Sequence, residues 1–258
     1  LRSTKERWTA RCRSGVCNAT PLPAWPQNNQ KTSTLPSTGT FKLALCAGYN
    51  SPLRTILAFH LCYLSMQSIT VFCGSSSGSR PIYAAQATFL GKTLAQRGIT
   101  VIYGGAQVGL MGAVADGALA EGGKVIGVIP GFLGRKEIAH SGLTELIVVE
   151  SMHERKQRMN ELCTGVIALP GGFGTLEELF EMLTWAQLGL HQKPIGILNM
   201  DGYYDDLIRL LQSMVDNGLL RKSNYDMVLV DESIEGLLQK MNDYQPPQEK
   251  KWMTASQT

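Results

Sequence analysis

The sequence predicts an α/β fold in which a mainly parallel sheet is covered by helices on both faces. Three observations carry this expectation. Short β-branched runs alternate with amphipathic helical stretches from Ile69 onward. Three glycine-rich loops, "CGSSSG", "YGGAQVGLMG" and "PGGFGT", each follow one of those runs, and the carboxyl ends of strands are where a doubly wound sheet keeps its ligand loops. No period of 20–50 residues repeats, which removes solenoids and propellers. The expected architecture is therefore a single Rossmann-like, doubly wound domain.

The elements follow in order. "ITVF" is a short apolar strand. A helix is expected from about Pro81 to Arg97, with proline suited to the first turn and Gly98 as the stop. "TVIYGG" and "KVIGVIP" read as strands on either side of the helix "LMGAVADGALAEGG". A loop through "GFLGRKEIAHSG" leads to the strand "LTELIVVE". The helix "HERKQRMNELC", the strand "GVIALP" and the helix "TLEELFEMLTWAQLG" come next. "PIGILN", "YYDDLIRLLQSMVDNG", "DMVLV" and "SIEGLLQKMN" complete the alternation.

Charge divides the chain unevenly. The formal net charge is +3, from 24 Lys+Arg and 21 Asp+Glu. Before Met66 stand eight bases and one acid, Glu6, which leaves 16 bases and 20 acids beyond it, a net of −4. The apparent basicity belongs to the leader, so the body offers no globally basic nucleic-acid surface. Cysteine is skewed in the same way: Cys12, Cys17, Cys46 and Cys62 precede Met66, and only Cys73 and Cys163 follow it, without metal-ligand spacing. Buried thiols in a reducing compartment are the expectation, with no metal.

Residues 1–65 are expected to be a disordered leader or a non-native upstream extension, because "NATPLPAWPQNNQKTSTLPSTG" has no helical or strand period. An organelle transit peptide and a secretion signal stay open as alternatives. "LRTILAFHLCYL" is too short to span a bilayer, so no membrane partner is expected. Residues 66–245 form the expected domain, and 246–258 a flexible tail. A cytoplasmic location is expected, with organelle targeting by residues 1–65 left open.

The loops suggest chemistry. In "PGGFGT", Gly171, Gly172 and Gly174 allow backbone N–H groups to approach an anion, and Thr175 can cap the following helix or donate its hydroxyl. This is neither a Walker A loop nor a dinucleotide fingerprint. Gly74 and Ser75 in "CGSSSG" suit a phosphate or ribose, and Gly105 and Met111 belong to the second loop. In "SMHERKQRM", Arg155 and Lys156 are placed in a first helical turn, against the macrodipole, which points to an anionic ligand or a solvated basic face; His153 reads as a polar cap. Leu176, Leu179, Phe180 and Leu183 make a helical stripe facing the sheet, with Glu177, Glu178 and Glu181 off it. Acids there complement the dipole. Glu178, one turn past the loop, can also stabilise an oxocarbenium-like centre or activate water.

These motifs together resemble a known family. "PGGFGTLEE" fits a PGGxGTxxE signature, preceded by "SMHERK" and accompanied by "FCGSS", "YGGAQVGLMG" and "GYYDDL". They are similar to those of the LONELY GUY (LOG) family, the cytokinin riboside 5′-monophosphate phosphoribohydrolases, which older labels describe as lysine decarboxylase-like. The resemblance covers about Ile69 to Met241. It implies a Rossmann-like homodimer that hydrolyses the N-glycosidic bond of an N6-modified AMP, releasing free base and ribose 5-phosphate. It places the catalytic arginine on Arg155 and the catalytic glutamate on Glu178. Substrate contacts fall on Lys156, on the loop Gly172, Phe173, Gly174, Thr175, Leu176, Glu177 and Glu178, on Thr184, and more weakly on Glu137 in "RKEI". Phe173 replaces the tyrosine often found in the signature and is expected to pack or stack. No cofactor is implied, and no lysine is placed for a pyridoxal phosphate Schiff base. A general nucleoside-monophosphate nucleosidase and a non-catalytic nucleotide-binding module are the alternatives.

Overall fold

A computed structural model describes residues 66–134 and 139–248. The expectations for residues 1–65, for Glu137 and for the tail beyond 248 lie outside the described residues. Seven strands make one sheet: β1 (Ser68–Phe72), β2 (Thr100–Tyr103), β3 (Val125–Pro130), β4 (Glu145–Val149), β5 (Gly165–Ala168), β6 (Ile195–Leu198) and β7 (Val228–Asp231). Their order is β4-β3-β2-β1-β5-β6-β7, and every pairing among them is parallel. The helices are α1 (Pro81–Gln96), α2 (Gly109–Ala120), a short α3 (Gly131–Gly134), α4 (Met152–Leu162), α5 (Phe173–Leu188), α6 (Asp205–Asp216), a short α7 (Lys222–Tyr225) and α8 (Ile234–Asn242). Helices α3 and α7 carry no sequence signal, since each is four residues long and neither period can develop.

The strands alternate between two cores, as a sheet covered on both faces requires. On one side Ile69, Val71, Val101, Tyr103 and Ile167 meet residues of α1, α2 and α8. On the other, Phe72, Ile102, Val166 and Ala168 meet Met159 of α4 and Leu179 and Met182 of α5. Helices α1 and α2 approach so closely that a Cβ on Gly91 would lie 2.1 Å from the Val114 carbonyl oxygen, and one on Gly117 2.2 Å from that of Thr88. Backbone cannot yield as a side chain can. Gly91→Ala therefore lowers stability by about 1–3 kcal/mol through overpacking, despite alanine's better helix propensity, and chemical denaturation measures it; an unchanged midpoint would show that the helix pair can separate freely.

The topology fixes where a ligand sits. The chain builds β1 to β4 in one direction, then crosses back to lay β5 on the other flank of β1. The loops leaving β1 and β5 consequently diverge and open a crevice at their carboxyl ends. "CGSSSG" leaves β1 and "PGGFGT" leaves β5. Gly74 ties three loops together there: its N–H donates to the Pro170 carbonyl at 3.0 Å, and its carbonyl accepts from the Leu110 N–H at 3.1 Å. Gly109 at the start of α2 has a φ of 56°, and a Cβ on it would lie 2.3 Å from the backbone of Ser75.

Candidate active site

The crevice holds a cleft of about 370 Å³ between the amino ends of α4 and α5. Its α4 wall follows from the capping chemistry of that helix. The Ser151 hydroxyl accepts from the Glu154 N–H at 3.1 Å, and the Glu154 carboxylate reaches back to the Glu150 N–H at 2.8 Å. The helix thus starts at Met152, capped by Ser151, and the exposed His153 is not the cap. Arg155 closes the first turn rather than lying in it, through its N–H on the Ser151 carbonyl at 3.1 Å, and Lys156 belongs to the next turn. With this start, Met152, Arg155 and Met159 share one helix face, at i, i+3 and i+7, and all three line the cleft.

Arg155 is anchored under the sheet edge. Its Nε donates to the Val128 carbonyl at 3.0 Å, and one terminal nitrogen to that of Gly104 at 3.4 Å. Gly104 makes room for it: a Cβ there would lie 2.2 Å from the guanidinium. The other terminal nitrogen, Nη1, stands 3.6 Å from Oε1 of Glu178, and both side chains are only 11 % exposed.

Helix α5 starts two residues earlier than the sequence pattern indicated, at Phe173 with Gly172 as its cap. Thr175 is therefore not the cap. It is buried in the first turn against Gly171, where a Cβ would meet its hydroxyl at 2.1 Å. The shift also moves the glutamates out of the first turn. The buried stripe runs through Thr175, Glu178, Leu179, Met182 and Ala186, so Glu178 lies on it, not off it. Leu176 and Leu183 pack only partly against the core, and Phe180 is half-buried. The expected stripe had the right period but the wrong phase, because one glutamate is interior.

That burial sets the chemistry of Glu178. Removal from water pushes its carboxyl up from the usual 4.5 to about 7, although the positive charges of Arg155 and Lys156 pull the other way. Glu177 and Glu181 add a smaller upward push. A carboxyl near 7 is poised to take or hold a proton at neutral pH. Cys73 lines the same cleft, and burial together with the Glu178 charge raises its thiol well above the usual range, so it is a neutral wall and not a nucleophile.

The structure brings Arg155, Glu178, Gly74, Ser75, Met111, Gly172, Phe173, Gly174 and Thr175 to one cleft. Other expected positions do not line it. Lys156 is gripped beside the cleft by Glu177 and by Glu181 at 3.1 Å. Burial disfavours its charge, but the two carboxylates outweigh that and raise its pKa. Thr184 is exposed, and its hydroxyl donates to the Phe180 carbonyl of its own helix at 2.7 Å. Gly105, with φ 79°, packs against Ile129 and Leu146, and its neighbour Gly104 takes the place at the cleft. Gly171 faces a second cavity of about 340 Å³ on the other side of the Gly74 seam. Phe173 stands 94 % exposed at the mouth instead of packing. Among the described residues no lysine lines the cleft, and no group of three His, Cys, Asp or Glu is placed to hold a metal ion. None of the described helices is long and apolar enough to cross a membrane.

Sequence reasoning missed much of the apolar lining, Gly104, Leu133, Met152 and Met159 among it. The two methionines were within reach, since they share the helical face of Arg155. Tyr203 and Tyr204 of "GYYDDL" carry no chemical signal in the sequence, yet their hydroxyls donate to the carbonyls of Gly171 and Leu169, each at 2.6 Å.

A family model described as "Possible lysine decarboxylase" matches residues 111–241. The cytokinin riboside 5′-monophosphate phosphoribohydrolase LOG5 of Arabidopsis thaliana is 45 % identical over 178 residues, covering 69 % of this chain and 78 % of that protein. The probable cytokinin riboside 5′-monophosphate phosphoribohydrolase LOGL2 of Oryza sativa subsp. japonica is 44 % identical over 182 residues, covering 70 % and 75 %. Among solved structures, the molybdenum cofactor carrier protein of Chlamydomonas reinhardtii superposes with a TM-score of 0.54 at 23 % identity, over 69 % of this chain and 98 % of that one. That likeness shows the fold alone. Identity at this level to the phosphoribohydrolases, over most of both chains, has one reading: the chain belongs to the LONELY GUY (LOG) family of cytokinin riboside 5′-monophosphate phosphoribohydrolases.

Proposed function

We propose that this protein hydrolyses the N-glycosidic bond of N6-modified AMP, giving a free cytokinin base and ribose 5-phosphate. The observation that carries the reading is the buried Glu178 carboxyl, poised near neutrality 3.6 Å from Arg155 at the foot of a phosphate-type loop. The first turn of α5 supplies N–H groups that have no intrahelical acceptor, and these take the 5′-phosphate. The ribose then lies over Glu178, and the base extends along the apolar wall of Met111, Met152, Met159 and Leu133.

In the reaction, the bond from C1′ to the base nitrogen breaks and its electron pair leaves with the base. Positive charge builds at C1′, where the Glu178 carboxylate faces it. Water adds at C1′ and gives its proton to Glu178; the departing base takes up a proton from solvent to become the neutral product, and Glu178 returns its proton to solvent, which restores the carboxylate. Arg155 keeps the carboxylate ionised and oriented before that transfer. We also infer a homodimer; its support is the half-buried apolar face of Leu176, Phe180 and Leu183 on α5, and light scattering reads it directly.

The test is chromatographic. The protein is incubated with N6-isopentenyl-AMP and with AMP, and free base is followed. Preferential release from the N6-modified nucleotide is expected. Equal efficiency on AMP would replace this reading by a general nucleosidase. No release from either, with nucleotide still bound, would leave only a binding module.

A further inference from the structure

The backbone of the loop between β5 and α5 is sorted by polarity, and two side chains outside the cleft accomplish this. Four successive carbonyls are occupied. Leu169 accepts from the Tyr204 hydroxyl at 2.6 Å, Pro170 from the Gly74 N–H at 3.0 Å, Gly171 from the Tyr203 hydroxyl at 2.6 Å and Gly172 from the Leu176 N–H at 3.1 Å. In a trans peptide the N–H points opposite to the preceding carbonyl. With the Gly171 carbonyl turned to Tyr203, on the side of the second cavity, the Gly172 N–H is turned away from it. The loop thus spends its acceptors on its own protein and keeps donors for an anion.

The two tyrosines are themselves held. Tyr204 is buried at 2 % exposure, and its N–H donates to the Asn199 side chain at 2.8 Å. Asn199 in turn donates to Asp205 at 2.8 Å. The rings of Tyr203 and Tyr204 meet edge to face at 4.9 Å, and Tyr203 meets Tyr83 of α1 edge to face at 5.7 Å. A Gly-Gly peptide without such an anchor rotates readily. A flip would present the Gly171 carbonyl to the ligand in place of the Gly172 donor.

We propose that Tyr203 is a positioning residue for phosphate recognition: its hydroxyl locks the Gly171 carbonyl outward so that the Gly171–Gly172 peptide presents its N–H to the substrate's 5′-phosphate, while Tyr204, bonded to the Leu169 carbonyl, braces the Tyr203 ring. This rests on the reading of that loop as the phosphate cradle. Tyr203→Phe is the informative variant, because its hydroxyl sits on a side chain 42 % exposed and its removal leaves no buried polar group. The KM for N6-isopentenyl-AMP and the inhibition constant of inorganic phosphate both rise about tenfold, the size of one hydrogen bond serving a charged ligand. The kcat and the inhibition constant of the free base, which makes no contact with the loop, stay within about twofold. Tyr204→Phe removes a buried bond to a peptide that has no N–H, so it lowers Tm and moves the two constants less than Tyr203→Phe does. If phosphate competes with the nucleotide in the wild type but Tyr203→Phe leaves both constants unchanged, the positioning role is wrong and the cradle stands. If kcat falls and the inhibition constant of the free base rises along with KM, the tyrosine is merely structural and the proposal is overturned. If phosphate does not compete even in the wild type, the cradle reading itself falls, and the proposal with it.

Discussion

Glu178→Gln lowers kcat by about 10²–10⁴-fold, the range of a positioned acid–base group, while the fold is retained. Glutamine keeps the shape of the side chain and removes the site that receives the proton of water. The pH dependence identifies the group independently of the loss. Glu178 titrates near 7 in the folded protein, and it is the ionised form that acts. In the wild type, kcat/KM therefore rises about tenfold for each pH step of one below 7 and levels above it. The residual activity of the glutamine variant lacks that limb. Stability moves in the opposite direction. A carboxyl whose folded pKa lies above its unfolded value favours folding at low pH, and this contribution is lost as pH rises through about 7. Glu178→Gln should consequently melt higher than wild type at pH 8, with the gap closing toward pH 5. A variant that keeps kcat within tenfold at pH 8, or melts lower there, would show that the carboxylate is neither catalytic nor held against its preference.

The same residue marks the boundary of what the chain discloses as a string. The alternation of strands and helices was legible because parallel strands covered on both faces are continuous apolar runs, and glycine loops punctuate them. The location of the site was legible too, since chain order places "CGSSSG" and "PGGFGT" at strand ends and the crossover after β4 brings them side by side. The phase of α5 was not. A period of 3.6 read from leucines and a phenylalanine assigns every glutamate to the outside, and the exception, Glu178, is interior because Arg155 stands opposite. Nor can one-dimensional reading show that Lys156 is taken by Glu177 and Glu181, since those partners lie 21 and 25 positions away. Tyr203 and Tyr204 bond carbonyls 32 and 35 positions earlier in the chain. Contacts of this kind are decided by tertiary placement alone.

Arg155→Lys should be nearly as damaging as removal at neutral pH, despite conserving the charge. The guanidinium performs three tasks from one rigid fork: Nε to the Val128 carbonyl, one terminal nitrogen to Gly104 and the other toward Glu178. An ammonium is a single compact charge on a flexible stem and cannot hold all three directions at once. A fall in kcat/KM of about 10²–10³-fold is expected, the loss typical of a preorganised electrostatic partner. Its pH signature separates this role from simple misfolding. Arg155 is the largest influence opposing the burial of Glu178. Moving its charge away allows the carboxyl pKa to climb beyond 7, so the rising limb of kcat/KM shifts to higher pH and activity recovers in part under alkaline conditions. In Arg155→Met, where no charge remains, the shift is larger and the alkaline recovery stops lower, because nothing then orients the carboxylate. If the limb stays near 7 in both variants, Arg155 does not tune Glu178, and its contribution lies wholly in binding the phosphate. The two functions are separable in one titration because only the first couples the guanidinium to a proton.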